Sequence, residues 1–257
     1  MLISEEVFLY RNLGSSASSL ALARVLVAGM GALGCPAALG LVRAGVGHLT
    51  LVDPDVVELS NLQRQVLFGQ RDIGRPKVEA AVAALSRLQS PTRVAGSVTR
   101  IDSSNAEAIV ATHDFVIDAT DDPATKLLLN ETAVRVGRPL AYAGVARTGG
   151  QTMAIEPGVS ACLECALPAP AGGEQFPQGC DEAGILAPVA GVIGSLEAAA
   201  ALAALTRSPA WRPGTMILYE VRGPRWRTIE FSRRPDCRCC GAGVADAVAA
   251  RRQTCHS

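Results

Sequence analysis

Three groups of residues in this chain have types and spacings suited to chemistry. The first is Gly29-Met30-Gly31-Ala32-Leu33-Gly34, with Asp53 at the end of the next apolar run. A glycine-rich turn from a strand into a helix leaves backbone N–H groups free and aims the positive helix end at an anion, so it suits a phosphate. An acidic residue closing the second strand accepts hydrogen bonds from ribose hydroxyls. Gly29, Gly31, Ala32, Gly34 and Asp53 therefore read as a nucleotide site. On these residues alone NAD and ATP stay equal.

The second group follows directly. Asp55, Ser60, Asn61, Arg64 and Gln65 crowd a segment expected to lie over the nucleotide, and so many polar side chains are unusual for a plain connection. They suit the handling of charge and metal better than hydride transfer. Lys77 comes after Pro76 at the start of a helix, where the dipole disfavours a cation. A phosphate there would remove the conflict; a solvated surface lysine is the alternative. Asp118 and Asp121-Asp122 end a buried apolar run. Asp121 suits Mg²⁺, which on phosphates uses one or two carboxylates plus waters. Asp122, before Pro123, reads as a helix N-cap that borders the same site.

Cysteines make the third group. Cys162-x-x-Cys165 and Cys237-x-x-Cys240 are two pairs, each spaced to grip one tetrahedral Zn²⁺, with Cys239 as an alternative ligand. Four thiolates leave no open position, so such a zinc would be structural. Cys180 lies in a Gly- and Pro-rich stretch before Asp181 and Glu182, where a thiol can be exposed and reactive. The alternative is an inert thiol, since the two carboxylates raise its pKa. Cys35 is expected to be buried and Cys255 to be a tail thiol. His48, His113 and His256 show no ligand spacing.

Composition bounds what these groups can serve. The 257 residues carry 24 basic and 24 acidic side chains, so no global field draws the chain to nucleic acid or an anionic membrane. The N-terminus has Glu5 and Glu6 where a secretory signal would be basic. The apolar run Gly184 to Leu196 is too short to span a bilayer and reads as a core helix. A cytoplasmic location is expected, where the eight cysteines serve as ligands or reactive thiols rather than disulfides.

The elements that must position these residues alternate. Strands are expected at Arg24–Ala28, His48–Asp53, Val94–Ile101, Phe115–Ala119 and Pro139–Gly144. Between them fall helices at Cys35–Ala44, Pro76–Leu88, Asn105–Thr112 and Pro123–Gly137. That pattern gives an α/β fold with a Rossmann-like, doubly wound, mainly parallel sheet and a ligand at the carboxyl ends of its strands. After Gln151 the pattern changes to strands at Gln151–Glu156, Thr215–Val221 and Trp226–Phe231, with a helix at Ala190–Leu205. These read as antiparallel additions to the same sheet. Residues 1–145 form the nucleotide-binding part. Residues 146–241 are expected to form the extension, with a mobile or functional loop from Pro168 to Gly184 and the zinc site in the same compact domain, and 242–257 to be a disordered tail.

Taken together these stretches resemble the ThiF/MoeB/HesA family, bacterial relatives of ubiquitin-activating enzymes. The resemblance is carried by Gly29 to Cys35, Ala44-Gly-Val-Gly47, Ser60-Asn-Leu-Gln-Arg-Gln65, Gly74-Arg-Pro-Lys77 and Asp118-Ala-Thr-Asp121. It continues through Gly149-Gly-Gln151, Cys162-Leu-Glu-Cys165, Glu182 to Pro188, Gly191 to Ser195 and Cys237 to Gly241. It implies ATP-dependent adenylation of the C-terminal Gly-Gly carboxylate of a small ubiquitin-like sulfur-carrier protein, with Mg²⁺ and a structural Zn²⁺, in a homodimer. By this resemblance Asn61 and Arg64 face the triphosphate, Lys77 the phosphates and Asp53 the ribose, and Cys180 matches a loop cysteine of sulfur handling or a covalent carrier link. The likeness leans to thiamine biosynthesis, with molybdopterin assembly as the alternative. No rhodanese-like segment follows Gly241, so a separate persulfide donor is expected.

Two departures accompany the likeness. The family's Arg-Tyr-x-Arg-Gln segment, which reaches the partner subunit's nucleotide, reads Leu9-Tyr10-Arg11-Asn12 here, leaving Arg11 as the candidate in a shifted register. The family's Asp-Asn after the buried strand is Asp121-Asp122, which adds negative charge near the phosphates.

Overall fold

Short β-branched runs alternating with helices rich in small residues build the parallel half of the molecule. A computed structural model describes residues 17–168 and 184–241. β1 (Arg24–Ala28), β2 (His48–Val52), β3 (Arg93–Ser97), β4 (Phe115–Asp118) and β5 (Leu140–Ala146) pair in parallel. The helices of this half are α1 (Ala17–Leu22), α2 (Gly34–Arg43), α3 (Lys77–Ser86), α4 (Ala106–Ala111) and α5 (Pro123–Val136). The antiparallel half contributes β6 (Gly149–Ile155), α6 (Leu163–Ala166), α7 (Ala187–Leu205), β7 (Thr215–Glu220) and β8 (Arg225–Glu230). Among the described residues the strands form one sheet in the order β3-β2-β1-β4-β5-β6-β7-β8. The order reverses between β1 and β4, and a crevice opens there at the carboxyl ends of the strands.

The central strands are buried on both faces, which is why β1 and β4 read as unbroken apolar runs rather than alternating ones. Val25, Val27, Phe115 and Ile117 pack with α2, α3 and α7, whereas Leu26, Val116 and Leu140 pack with α4 and α5. Each helix covers the sheet through its own small or branched residues, and α2 uses Ala37, Ala38, Leu41 and Val42.

Expected and observed elements differ most at β3, at two short helices and at the long apolar helix. β3 stops at Ser97 rather than Ile101, because the chain leaves the sheet there and Thr99, Arg100 and Ile101 form a wall of the crevice. Two short helices went unread, α1 and α6, the latter being the single turn made inside Cys162-x-x-Cys165. The apolar run also gives a longer helix than expected. α7 has 19 residues and a mean hydropathy of 1.7 over its best window, long and apolar enough to cross a membrane by those measures alone. Its Val189, Ala190, Ile193, Ala198 and Ala201 are instead buried in the core against the sheet.

Candidate active site and metal centre

The glycine loop takes its shape from steric demands. Gly29 has φ +91°, and a Cβ there would stand 2.6 Å from the carbonyl oxygen of Ala119, at the end of β4. A Cβ on Gly34 would collide with the carbonyl oxygen of Gly29. Gly34 is therefore a packing residue that lets α2 close on the loop, while Gly29, Gly31 and Ala32 line the crevice. The crevice is a cleft of about 850 Å³, within the usual size of a small-molecule site.

Asp53 stands at its floor, 5 % exposed, where Oδ2 accepts from the Met30 N–H at 2.6 Å and Oδ1 from the Asp55 N–H at 2.8 Å. Burial pushes its carboxyl up, and the neighbouring Lys77 ammonium opposes that shift. Each oxygen keeps a second lone pair for a ribose hydroxyl.

Lys77 is not a solvated surface lysine. It is 8 % exposed, and its Nζ lies 2.8 Å from Asp55 Oδ2. Burial works against the ammonium, but the carboxylates of Asp53, Asp55 and Asp121 outweigh it and raise its pKa. The anion that the helix start seemed to require is thus supplied within the chain by Asp55. A cation held so in the cleft is placed to exchange that carboxylate for a phosphate.

The segment after Asp55 folds over the same cleft. Glu58 and Asn61 close a capping box around the turn Leu59–Asn61, the Asn61 side chain accepting from the Glu58 N–H at 3.2 Å. Arg64 Nη1 donates to the Ser60 carbonyl at 3.0 Å, and Ser60, Asn61 and Arg64 all line the cleft. Gln65 is 3 % exposed, and its Oε1, buried at the cleft wall, has no hydrogen-bond partner among the described residues.

Asp121 and Asp122 divide as their neighbours suggest. Asp122 caps α5, accepting from the Thr125 N–H at 2.8 Å and Thr125 Oγ1 at 2.7 Å, and the Thr125 hydroxyl first among these bonds holds its carboxyl below the usual range. Asp121 is exposed and lines the cleft, a single carboxylate of the kind Mg²⁺ on phosphates uses.

Lys126 was not singled out from the sequence. Its Nζ donates to the Ala143 carbonyl at 2.6 Å and lies 3.4 Å from Asp118 Oδ1, and the residue lines the same cleft as Lys77. The signal was available, because a lysine in the first turn of α5 sits at the wrong helix end, as Lys77 does in α3. Arg11 and Cys180 lie outside the described residues.

Away from the cleft, the sulfurs of Cys162, Cys165, Cys237 and Cys240 lie within 4.8 Å of one another, all buried. Pairs stand at 3.7 Å (Cys162 to Cys237), 3.4 Å (Cys165 to Cys240) and 4.0 Å (Cys162 to Cys165). Zinc–sulfur bonds of about 2.3 Å at tetrahedral angles put sulfurs about 3.8 Å apart, so the set fits Zn²⁺. Cys239 is outside the four. Cys35 is buried as expected, its thiol pushed up to about 12 by desolvation and so inert. His113 is structural, with Nε2 2.8 Å from Thr50 Oγ1 and Nδ1 2.8 Å from the Ile109 carbonyl.

With this geometry in hand, comparison with known proteins is decisive for the family. The model of the ThiF family matches residues 10–239. The chain is a ThiF family member. Among curated relatives, "Adenylyltransferase and sulfurtransferase uba4" of Emericella nidulans is 41% identical over 234 residues, covering 86% of this chain and 48% of that protein. "Adenylyltransferase and sulfurtransferase MOCS3" of Sus scrofa is 39% identical over 223 residues, with 86% and 49% covered. The chain thus spans about half the length of the curated relatives it matches. The same fold occurs in E. coli MccB, solved with ATP, at a TM-score of 0.78 and 24% identity, over 93% of this chain and 74% of that one. In ThiF family terms, the matched stretch contains every cleft residue described above.

Proposed function

We propose that this chain is an ATP-dependent adenylyltransferase acting on the C-terminal Gly-Gly carboxylate of a small ubiquitin-like sulfur-carrier protein. The observation that carries the reading is the set of charges that shares one cleft with the glycine loop, the cations of Arg64, Lys77 and Lys126 and the exposed carboxylate of Asp121. Hydride transfer would use Gly29 to Gly34 and Asp53 but give no work to those charges. The names and identities of the uba4 and MOCS3 relatives support the same activity.

In the proposed reaction the carrier's carboxylate oxygen bonds to the α-phosphorus of ATP. The bond from that phosphorus to the bridging oxygen breaks, and pyrophosphate leaves with the electron pair. The carboxylate is already ionised near neutral pH, so no proton moves and no general base is needed. Catalysis rests on alignment and on neutralising the phosphates. Lys77, released from Asp55, and Arg64 supply positive charge; Asp121 would hold Mg²⁺, which adds to it when bound. Zn²⁺ held by Cys162, Cys165, Cys237 and Cys240 has a structural part. Arg11, reaching a partner subunit's nucleotide in a homodimer, and Cys180, meeting the acyl adenylate as a thiol, complete the proposal, with a cytoplasmic location and a separate persulfide donor.

Exchange of labelled pyrophosphate into ATP, dependent on a carrier ending in Gly-Gly, tests the reading. Absence of exchange together with nicotinamide-nucleotide binding would overturn it. The carrier that co-purifies decides the pathway, thiamine-type by the sequence likeness or molybdopterin-type as the alternative.

A further inference from the structure

Asn130 sits in the middle of α5, 1 % exposed, and touches both halves of the cysteine cluster. Its Oδ1 accepts the Leu163 N–H at 2.9 Å, inside the turn that carries Cys162 and Cys165. Its Nδ2 donates to Cys239 Sγ at 3.1 Å, between Cys237 and Cys240. A backbone N–H can only donate, so the Leu163 bond fixes which end of the amide is oxygen and leaves the N–H facing sulfur. These bonds bridge 33 and 109 residues of chain. Cys239 itself stands outside the four grouped sulfurs.

The same helix frames the cleft. Asp122, Thr125 and Lys126 of its first turn line the nucleotide side, and Lys126 is one turn from Asn130 on the same helix face. The helix between the two regions is a continuous hydrogen-bonded element, capped at one end by Asp122 and closed at the other by Gly137 at φ 73°.

We propose that Asn130 is a positioning residue that fastens the cysteine cluster to α5, so that metal held at the cluster and nucleotide held in the cleft strengthen each other's binding. The proposal rests on the zinc reading above. It assigns Asn130 a part in holding together the two segments that carry the ligands, through Leu163 on one and Cys239 on the other, without making it a ligand. Coupling of two sites through one element is reciprocal in binding free energy, so nucleotide must tighten zinc if zinc tightens nucleotide, and the tighter zinc is expected to leave more slowly.

The test uses the full chain with its metal. Metal content is measured first: a protein purified without zinc overturns the zinc reading and this proposal with it. Zinc release to a chromogenic chelator is then followed with and without a non-hydrolysable ATP analogue. In the unaltered protein the analogue slows release. Asn130→Asp keeps the size and the Leu163 contact but exchanges the N–H donor for an oxygen. It is expected to release zinc about 10-fold faster, with the analogue no longer slowing release. Cys239→Ala removes only the sulfur acceptor and is expected to behave likewise to a smaller degree, whereas Cys239→Ser, which keeps an acceptor, stays near the unaltered rate. Should Asn130→Asp fail to fold, the two Cys239 variants decide. Zinc present, with release and its response to nucleotide unchanged in Asn130→Asp or, in its place, Cys239→Ala, overturns the proposal and leaves the adenylation reading untouched.

Discussion

The cleft and the cysteine cluster are joined by one helix yet satisfy their polar groups in opposite ways. In the cleft, charges neutralise one another provisionally: Lys77 rests on Asp55, Asp53 on two backbone N–H groups, Arg64 on the Ser60 carbonyl. Several of these side chains reach solvent, and each partner can be exchanged for part of a ligand. At the cluster four sulfurs from segments 75 residues apart converge in buried space. Their donor set leaves no coordination position for a substrate. The exchangeable partners of the cleft suit turnover of an occupant, and the closed sulfur set suits retention of one.

The comparison breaks most visibly at the sulfurs. Cys162→Ser is expected to lower zinc content and to drop the melting temperature by on the order of 10 °C, as loss of several kcal/mol from a chain of this size implies. Metal analysis and calorimetry check it; an unchanged melting temperature would remove the cluster's structural part. In the cleft, Lys77→Ala is expected to cut pyrophosphate exchange by about 10²-fold to 10³-fold, the usual effect of deleting one preorganised charge. Circular dichroism should remain that of the parent, and equal exchange rates would mean the phosphate contacts are wrongly assigned.

Gly34→Ala sharpens the contrast from the backbone side. The added methyl meets the Gly29 carbonyl, so α2 must shift, costing about 3 kcal/mol in urea unfolding and weakening nucleotide binding together. A loss of nucleotide affinity at unchanged stability would make Gly34 a ligand contact instead.

Glu197 gives a prediction in pH. It is wholly buried on α7, and neither carboxylate oxygen has a hydrogen-bond partner among the described residues. Desolvation pushes its carboxyl well up; the Lys126 charge opposes this and the Asp118 charge from β4 adds to it. The folded protein then holds a proton that the unfolded chain releases above its ordinary carboxylate pKa. Stability contributed there is present at low pH and declines as pH rises through the raised folded value. Glu197→Gln, which has no proton to release, should flatten that decline, so that its stability relative to the parent rises from pH 5 to pH 8. Chemical denaturation at pH 5 and pH 8 measures it. The smallest effect belongs to Asp122→Ala, about 1 kcal/mol for a lost N-cap, with little change in nucleotide affinity if the cap is its main work.

Much of the fold was legible because strands buried on both faces leave a continuous apolar signature, and Phe115 to Ala119 could hardly be anything else. The glycine loop was legible for a related reason: few residue types tolerate the approach of Gly29 to Ala119. Lys126 escaped notice because its importance depends on Asp118 and Ala143 lying beside it, 8 and 17 residues away. β3 was overextended since Val98 and Ile101 look like strand residues until the cleft claims the chain beyond Ser97.

Local spacing by itself determined the glycine loop, the two cysteine pairs and the Asp122 cap, since each is made within a few consecutive residues by backbone geometry. Only the tertiary structure decided that Lys77 has an internal counterion and that Cys239 is left out of the four sulfurs. It alone placed Asn130 between cluster and cleft. Those outcomes depend on which distant groups meet in low-dielectric space, and the energy of such meetings is set by distance and burial rather than by order along the chain.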